Sequence, residues 1–409
     1  MRLLGLPLAM LIAHGGSLPA AEAPTHATSG LVRSSNAFGL DLYQRLKSNP
    51  GNLVFSPASV TTGLAMAWAG AKGATAAEMA RVLHFDGTPD EVLKASGQLA
   101  AELSDPGQPI VFRIANRLFA ERTSRLEPGF IQATNAAYGA ALEPVDFEGA
   151  PEASRERING WVEQQTEKRI RDLVPVSGVD SLTRLVLVNA IYFLGAWQLP
   201  FDEGATQRGR FFVSRKNRKD IPFMLQQSYF KFAERDRLKA LELPYQGDSL
   251  SMLILLPERV DGLAAVEATL TADGLDAIVK SLSKREVSVA LPKFEVNPTD
   301  SLALAENLKA MGMTAAFEQE KADFTGIANP PDPRARLYIK DVFHKAFVKV
   351  DEKGTEAAAA TAVHQPTGAA WPPPKPRVFF ANHPFLFFVR HIASGLVLFI
   401  GRVSDPAVK

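Results

Sequence analysis

In the N-terminal half of the chain, hydrophobic side chains alternate between helical and strand-like spacing. Between Ser34 and Leu46 they recur at helical spacing after a Ser/Asn-rich start, which predicts a helix. The alternating run IVFRIANRLFAE at 110–121 predicts a strand. The run TRLVLVNAIYFLGAW at 183–197 is almost continuously apolar and rich in β-branched residues, which predicts a strand buried on both faces.

From about residue 205 the pattern becomes mostly strand-like. One helix is predicted near 261–280 and another near 300–312. Helices come first, strands come later, and no βαβ unit repeats. This order predicts an α+β fold with large mixed or antiparallel sheets, in a single domain.

Composition excludes several kinds of function. The 409 residues contain 45 Lys and Arg against 44 Asp and Glu, so no overall field attracts nucleic acid or an anionic membrane. The basic cluster SRKNRKD at 214–220 is interpreted as a solvated turn or strand edge. There are no cysteines, which excludes disulfides, thiolate nucleophiles and cysteine-type zinc sites.

The N-terminus has the pattern of a signal peptide. Arg2 precedes the apolar run from Leu3 to Ala13, which is too short to span a membrane, and small residues follow near Ala20, Ala21 and Ala23. We expect residues 1–23 to be a signal peptide and 24–409 a soluble mature domain, secreted or periplasmic.

No local motif indicates an enzyme. The seven histidines include no HExxH pair, and no Walker A loop or GxSxG element is present. His344 lies in an apolar strand, where a hydrogen-bonded core histidine is the favoured interpretation. We expect no catalytic residues, metal or cofactor, although dispersed acid and base residues would leave no local signature.

One stretch near the C-terminus resists a simple interpretation. By propensity alone, TEAAAATA at 355–362 is a helical turn. It follows a strand through Gly354, however, and the proline-rich sequence QPTGAAWPPPKP comes soon after it. The segment from about 354 to 377 is therefore predicted to be a long exposed loop, which in a compact domain is usually functional.

These residues resemble the serpins, the serine protease inhibitors of the suicide type. The match extends from about Gly30 to Pro406. Besides VDEKGTEAAAATAV, the motifs that carry it, in chain order, are VFSPASVTTGLAMAWAGAKGATAAEM, VNAIYFLGAW, ELPY with SMLILLP, LPKFEV, FHKAF and HPFLFFVRH with GLVLFIGRVSDP.

The resemblance implies a serpin fold with three β-sheets, about nine helices and an exposed reactive-centre loop at about 352–377. It also implies a mechanism. A serine protease cleaves the loop and forms an acyl-enzyme, and the loop then inserts into the central sheet as a new strand. The chain is identified as an exported, bacterial-type member, a monomer whose partner is a covalently trapped protease.

Functional positions carry over from the family one by one. Ser56, Asn189 and His344 correspond to the shutter, a polar network beneath the sheet. Trp197 and Lys293 correspond to the breach, where the loop first inserts, and Glu352 is expected to pair with Lys293. The hinge of the loop consists of Glu352, Gly354, Thr355, Glu356, Ala357, Ala358, Ala359 and Ala360.

The hinge composition suits strand insertion. A strand of fifteen residues spans roughly 50 Å, enough to cross a domain of this size. An inserting strand buries alternate side chains, here Thr355, Ala357, Ala359, Thr361 and Val363, which are small or β-branched. Glu356 begins the outward set. Such a hinge predicts an inhibitor.

The reactive bond follows from the usual family register. Counted from Glu352, it lies between Gly368 and Ala369, and a lengthened loop leaves Thr367, Ala370 and Trp371 as alternatives. Small residues favour a protease of elastase-like or subtilisin-like specificity. Two other interpretations stay open: a non-inhibitory substrate or carrier, which Pro366 and Gly368 allow, and an enzyme on the same scaffold.

Overall fold

The computed structural model describes residues 26–103, 110–139, 142–355 and 375–408. The predicted signal peptide and the loop residues 356–374 lie outside these ranges. Within them the chain forms nine α-helices: α1 His26–Leu46, α2 Pro57–Ala69, α3 Gly73–Leu83, α4 Pro89–Leu103, α5 Pro128–Tyr138, α6 Pro151–Gln165, α7 Leu263–Thr269, α8 Ala272–Ser281 and α9 Ala305–Ala310.

Sixteen strands accompany these helices in the described ranges. They are β1 Leu53–Phe55, β2 Ile110–Glu121, β3 Leu142–Val145, β4 Leu185–Ala196, β5 Gln207–Phe212, β6 Arg218–Arg235, β7 Leu238–Pro244, β8 Leu250–Pro257, β9 Ser283–Pro292, β10 Phe294–Val296, β11 Leu302–Ala303, β12 Ile339–Asp351, β13 Gly354–Thr355, β14 Arg377–Phe380, β15 Phe385–His391 and β16 Val397–Val403. The predicted α+β class is confirmed.

Most elements predicted from hydrophobic spacing are found, with two corrections. β2 has the predicted bounds, and β4 is buried along nearly its whole length. The single helix predicted near 261–280 is two helices, α7 and α8. The break occurs because Leu270 is extended and Thr271 caps α8 by accepting a hydrogen bond from the Gly274 N–H. The helix predicted near 300–312 is shorter, at Ala305–Ala310.

The described strands form two hydrogen-bonded sheets where three were expected, and the larger has nine strands. Its order is β1-β16-β15-β8-β7-β6-β9-β14, with β5 also paired to β6. β6 is one unbroken strand of 18 residues that pairs with β5 and β9 and, at its end, with β7. Backbone hydrogen bonding therefore continues from one half of this sheet to the other through β6.

The seven-stranded sheet is the central one. Its order is β10-β12-β13-β4-β2-β3, and β11 pairs with β12. β12 and β4 run parallel and pair directly from Ile339 opposite Leu185 to Phe347 opposite Tyr192. At their upper ends the two-residue strand β13 lies between them.

Two hydrophobic cores cover the two faces of the central sheet. The large core joins its inner face to α1–α4 and to the nine-stranded sheet. A smaller core packs Ile158 and Val162 of α6, and Leu173 of the segment 166–180, against outward residues such as Val188 and Phe343. Helix α6 and this segment therefore form an outer cover over β4 and β12.

Candidate functional site

The hinge begins with a chain reversal at the top of β12. After Asp351 the chain turns through Glu352 and Lys353 and returns as β13. β13 is antiparallel to both neighbours: Thr355 lies opposite Val350 of β12 and Gly195 of β4. The first two residues of the proposed inserting strand therefore already occupy the position between β12 and β4.

Only glycine can occupy the first of these positions. Gly354 has a φ of +151°, and a Cβ there would lie 2.1 Å from the carbonyl oxygen of Gly195. A Cβ at Gly195 would in turn lie 2.6 Å from the Phe193 ring. Glycine at 354 therefore allows the backbone of β13 to approach β4 closely, and glycine at 195 leaves room for the rings of Phe193 and Tyr245 beneath the strand.

The Glu352 side chain anchors the turn. It is 4% exposed. Its Oε1 accepts hydrogen bonds from Lys293 Nζ at 2.5 Å and from the Thr206 hydroxyl at 2.6 Å. Burial alone would raise the pKa of Glu352, but Lys293 and Thr206 outweigh it and hold the pKa below its ordinary value. The expected Lys293–Glu352 pair is therefore present.

Aromatic side chains form the floor beneath β13. The Trp197 ring stacks on Tyr245 at 4.6 Å with an interplanar angle of 12°, and its indole N–H donates to the Asp351 carbonyl at 3.0 Å. The Tyr245 hydroxyl lies 2.8 Å from the Thr355 hydroxyl, and both residues are fully buried. The side chain of Thr355, the first member of the predicted inward set, is therefore buried on the inner face of the central sheet.

A second polar cluster lies in the middle of the β4–β12 interface. His344 and Asn189 are paired residues on the two strands, and both are fully buried. His344 Nε2 accepts the Ser56 N–H at 2.9 Å, so Nδ1 carries the proton and donates to Asn189 Oδ1. Burial lowers the pKa of His344 to about 3, against a smaller opposing effect of Asn189. The ring is therefore neutral at physiological pH.

Two members of this cluster are absent from the sequence-based assignment. The Asn189 side-chain amide donates to the Ser59 hydroxyl at 2.7 Å and to Asn116 Oδ1 at 2.6 Å, and the Ser59 hydroxyl also donates to Asn116 Oδ1. Asn116 lies directly opposite Asn189 in register. Asn189 is the lone asparagine of an otherwise apolar strand, whereas β2 also contains Arg113, Arg117 and Glu121, so no comparable sequence signal identifies Asn116.

A lysine ties the outer cover to β12. Lys345 is 8% exposed, and its ammonium donates to the carbonyls of Arg171 at 3.2 Å and Thr299 at 2.8 Å. Burial lowers the pKa of Lys345. This contact holds the segment 166–180 over the line along which β4 and β12 meet.

The remaining predicted positions divide into two groups. Glu356, Ala357, Ala358, Ala359 and Ala360 of the hinge, and Thr367, Gly368, Ala369, Ala370 and Trp371 around the reactive bond, lie outside the described residues. The basic cluster at 214–220 is a turn followed by the start of β6. There Arg215 pairs with Asp261 and Lys219 with Asp405, which is consistent with the interpretation as a strand edge.

Neither a metal-binding cluster nor a membrane-spanning helix is found in the part of the chain that the structure describes. Within the described ranges, no group of three or more His, Cys, Asp or Glu residues could hold a metal ion. None of the helices described is both long and apolar enough to cross a bilayer.

Comparison with known proteins identifies the family. A family model described as Serpin (serine protease inhibitor) matches residues 33–406. The leukocyte elastase inhibitor A of Rattus norvegicus is 42% identical over 386 residues, covering 92% of this chain and 99% of the relative. The human leukocyte elastase inhibitor is 40% identical with the same coverage. The chain therefore belongs to the serpin family.

Solved structures agree with this assignment. Uncleaved ovalbumin matches with a TM-score of 0.82 and 31% identity, covering 92% of this chain and all of that one. Serpin48, a highly specific serpin of Tenebrio molitor, matches with a TM-score of 0.81 and 32% identity, over 92% of this chain and 98% of the other. These similarities establish the serpin fold.

Proposed function

We propose that the protein is an inhibitory serpin, acting on a serine protease that accepts small residues at the cleavage position. The proposal rests on the position of strand β13 between β12 and β4. Gly354 and Thr355 already pair with β12 on one side and β4 on the other, so insertion requires extension of an existing strand. After cleavage and acyl-enzyme formation, the freed loop continues downward between β12 and β4 and carries the protease away from its docking position.

Continuation of the β13 register gives each loop residue a defined place. Val363 would lie opposite Val342 and Leu187, and Thr361 would lie opposite His344 and Asn189. Insertion at that level separates two buried polar side chains that now bond to each other. The hydroxyl of Thr361, which can both donate and accept, would arrive between them and replace the broken hydrogen bond.

The same register also predicts where Pro366 would lie in the inserted strand. It would lie opposite Ile339, the first residue of β12, where its missing N–H costs little pairing. Proline therefore falls near the end of the insertion path. Relatives named leukocyte elastase inhibitors support an elastase-like target, and such a pocket suits the small residues on both sides of the proposed Gly368–Ala369 bond.

We propose a signal peptide over residues 1–23, a single domain over 24–409, and a secreted or periplasmic monomer. Its partner is the trapped protease rather than nucleic acid or a membrane, and it needs no cofactor and performs no turnover of its own.

A second candidate is a substrate or carrier on the serpin scaffold. Human thyroxine-binding globulin, solved as a complex with its ligand, is similar to this chain with a TM-score of 0.81 and 25% identity. Carrier function would leave the loop cleavable without trapping the protease.

The deciding experiment is incubation of the purified chain with neutrophil elastase and with subtilisin at equal molar amounts. We expect a complex that survives denaturing electrophoresis, with a released peptide that mass spectrometry shows to begin at Ala369. A different peptide start would keep the mechanism and move the bond. Cleavage by both proteases without a complex would favour the substrate or carrier.

A matched variant tests the mechanism itself. Thr355→Arg places a charge against the buried Tyr245 and should block insertion while leaving the bond accessible. We expect cleavage without complex in this variant. Thr355→Ser keeps the hydroxyl and should still trap. Equal trapping by the unaltered chain, Thr355→Arg and Thr355→Ser would contradict insertion that begins with Thr355 buried against Tyr245.

A further inference from the structure

An apolar face of the nine-stranded sheet lies next to the C-terminal end of the reactive-centre loop. Of the seven large hydrophobic side chains that are exposed in the described ranges, three lie on this face: Tyr229, Val378 and Phe380. Val378 and Phe380 are alternate residues of β14, so their side chains point to the same side of the strand, whereas Phe379 between them is buried. A group of exposed apolar side chains on a soluble monomer indicates a surface that a partner covers.

Pairing in register joins the side chains of three strands into one surface, because paired residues of neighbouring strands point to the same side of a sheet. This surface, called the β14 face below, consists of Val378 and Phe380 of β14, Glu286, Ser288 and Ala290 of β9, and Leu225, Gln227 and Tyr229 of β6. A shallow groove of about 420 Å³ crosses it. Nothing in the insertion of the loop between β4 and β12 uses this surface.

Contacts beneath and beside the β14 face hold its apolar side chains in place. The Phe380 ring packs edge-on against the buried Phe223 ring, with the two centroids 5.1 Å apart. The Lys239 ammonium donates to the Val378 carbonyl at 3.1 Å and so ties β14 to β7. A surface that is already ordered loses little conformational entropy when a partner binds.

The polar side chains of the β14 face are already bonded to one another. The Ser288 hydroxyl donates to Gln227 Oε1 at 2.9 Å, and the Gln227 amide donates to Glu286 Oε1 at 3.0 Å. Tyr229 and Val378 therefore supply most of the surface that is left for contact. Such a surface fits apolar side chains of a partner rather than a complementary charge.

Both ends of the reactive-centre loop are attached to the half of the sheet that carries the β14 face. At the N-terminal end, Glu352 accepts a hydrogen bond from Thr206, which directly precedes β5. At the C-terminal end, the Asn382 carbonyl accepts the Phe212 N–H from the last residue of β5. β5 pairs with β6, so a protease that binds the loop approaches the molecule from this side.

The distance along the chain brings the β14 face within reach of a docked protease. Val378 is nine positions after Ala369, so the two residues are at most roughly 30 Å apart. A compact domain of roughly 250 residues has a radius of gyration of roughly 18 Å and is thus roughly 45 Å across. A protease held at the Gly368–Ala369 bond can therefore contact this face while the loop stays in its cleft.

We propose that the β14 face is a second contact surface for the target protease, which meets it with apolar side chains beside its active-site cleft. This inference rests on the proposed function, because the partner is the protease that cleaves the loop. Insertion carries the protease away from the β14 face, so the surface acts on the encounter and not on the trapped complex. It therefore selects among proteases that accept the same small residues.

Binding is measured with subtilisin and with neutrophil elastase in which the catalytic serine is replaced by alanine, so that neither acylation nor insertion follows. We expect the double variant Tyr229→Ser with Val378→Ser to raise the Kd about ten-fold for at least one of the two proteases. Tyr229→Ser alone leaves the edge strand β14 unaltered and should raise the Kd about three-fold. Val176→Ser makes the same kind of change at an exposed position in the segment 166–180 and should leave the Kd unchanged.

With the active protease, the second-order rate constant of trapping should fall by a similar factor in the double variant, while the lifetime of the trapped complex stays the same. Equal Kd values for the double variant and the unaltered chain with both proteases would overturn the surface, as would an equal loss in Val176→Ser. Cleavage of the loop without trapping, by a protease whose inactive form shows the expected Kd differences, would refute the inhibitory proposal and leave the surface intact.

Discussion

At their upper ends β4 and β12 are held apart by β13, whereas from Phe347 down to Ile339 they pair directly. The upper region relies on backbone pairing and on glycines at 354 and 195. The middle region relies on a buried polar cluster centred on Asn189 and His344. The two regions of the interface therefore differ in what they do. The upper region accommodates a strand between β4 and β12, and the middle region holds these two strands together.

The largest effect is expected from removal of Asn189, the residue at the centre of the polar cluster in the middle region. Asn189→Ala leaves His344, Ser59 and Asn116 without their common partner, and we expect the free energy of native-state unfolding to fall by about 3 kcal/mol. Urea titration followed by tryptophan fluorescence measures the loss. Asn116→Ala removes fewer bonds and is the control, so an equal loss in both variants would argue against Asn189 as the centre.

A charge reversal tests the upper region. Glu352→Lys places an ammonium beside Lys293 in a position that is 4% exposed. We expect a loss of about 2 kcal/mol, reduced because Lys293 is partly exposed, and faster formation of loop-sheet polymers. Native gels after mild heating detect the polymers. The stability and the rate of polymer formation of Glu352→Gln should lie between those of the unaltered chain and those of Glu352→Lys. Polymer-free gels for Glu352→Lys would contradict the prediction.

Acid should weaken the middle region through His344. Its pKa is about 3 in the folded protein and ordinarily about 6.5, so between these values the unfolded chain binds a proton that the folded one does not. Stability is therefore complete above pH 6.5 and falls by roughly 1.4 kcal/mol per pH unit as the pH drops toward 3.

His344→Gln isolates this contribution from other acid-sensitive groups. His383 and His391 also have lowered pKa values through burial, and they remain in the variant. Urea titrations at several pH values should show a shallower pH dependence for the variant, by about one proton. Identical slopes would mean that His344 does not control acid stability.

The smallest expected effect concerns the buried hydroxyl pair beneath β13, formed by Tyr245 and Thr355. Tyr245→Phe and Thr355→Val each remove one hydroxyl of a buried pair. We expect a coupling free energy of about 1 kcal/mol in the double-mutant cycle, because the second removal leaves no unpaired partner. Additive losses would show that the two hydroxyls act independently. The emission of Trp197, stacked on Tyr245, gives an internal probe of the same pair.

Hydrophobic spacing was sufficient for much of the fold. It predicted β2 at its full bounds and β4 as a strand buried on both faces, because those patterns are local. It failed at Leu270, where an extended residue separates α7 from α8 within a continuous helical pattern. There the capping hydroxyl of Thr271 competes with helix propensity, and a single-sequence pattern does not decide between them.

The candidate site was only partly predictable for a different reason. Family resemblance placed Glu352 beside Lys293, but not the Thr206 hydroxyl or the Tyr245 hydroxyl under Thr355. These partners are far apart in sequence and meet only through the register of β4, β12 and β13. Long-range register depends on the packed sheet, so no local pattern reports it.

The position of β13 also has a mechanical consequence. In the proposed insertion, the loop would enter at one end of the β4–β12 pair, so the backbone hydrogen bonds between these two strands would break one pair at a time rather than all together. Each step gives up one line of backbone hydrogen bonds and forms two, one on either side of the arriving residue. If the loop inserts as proposed, free energy is therefore released in small increments along the insertion path, and the attached protease moves without a single large barrier at the start.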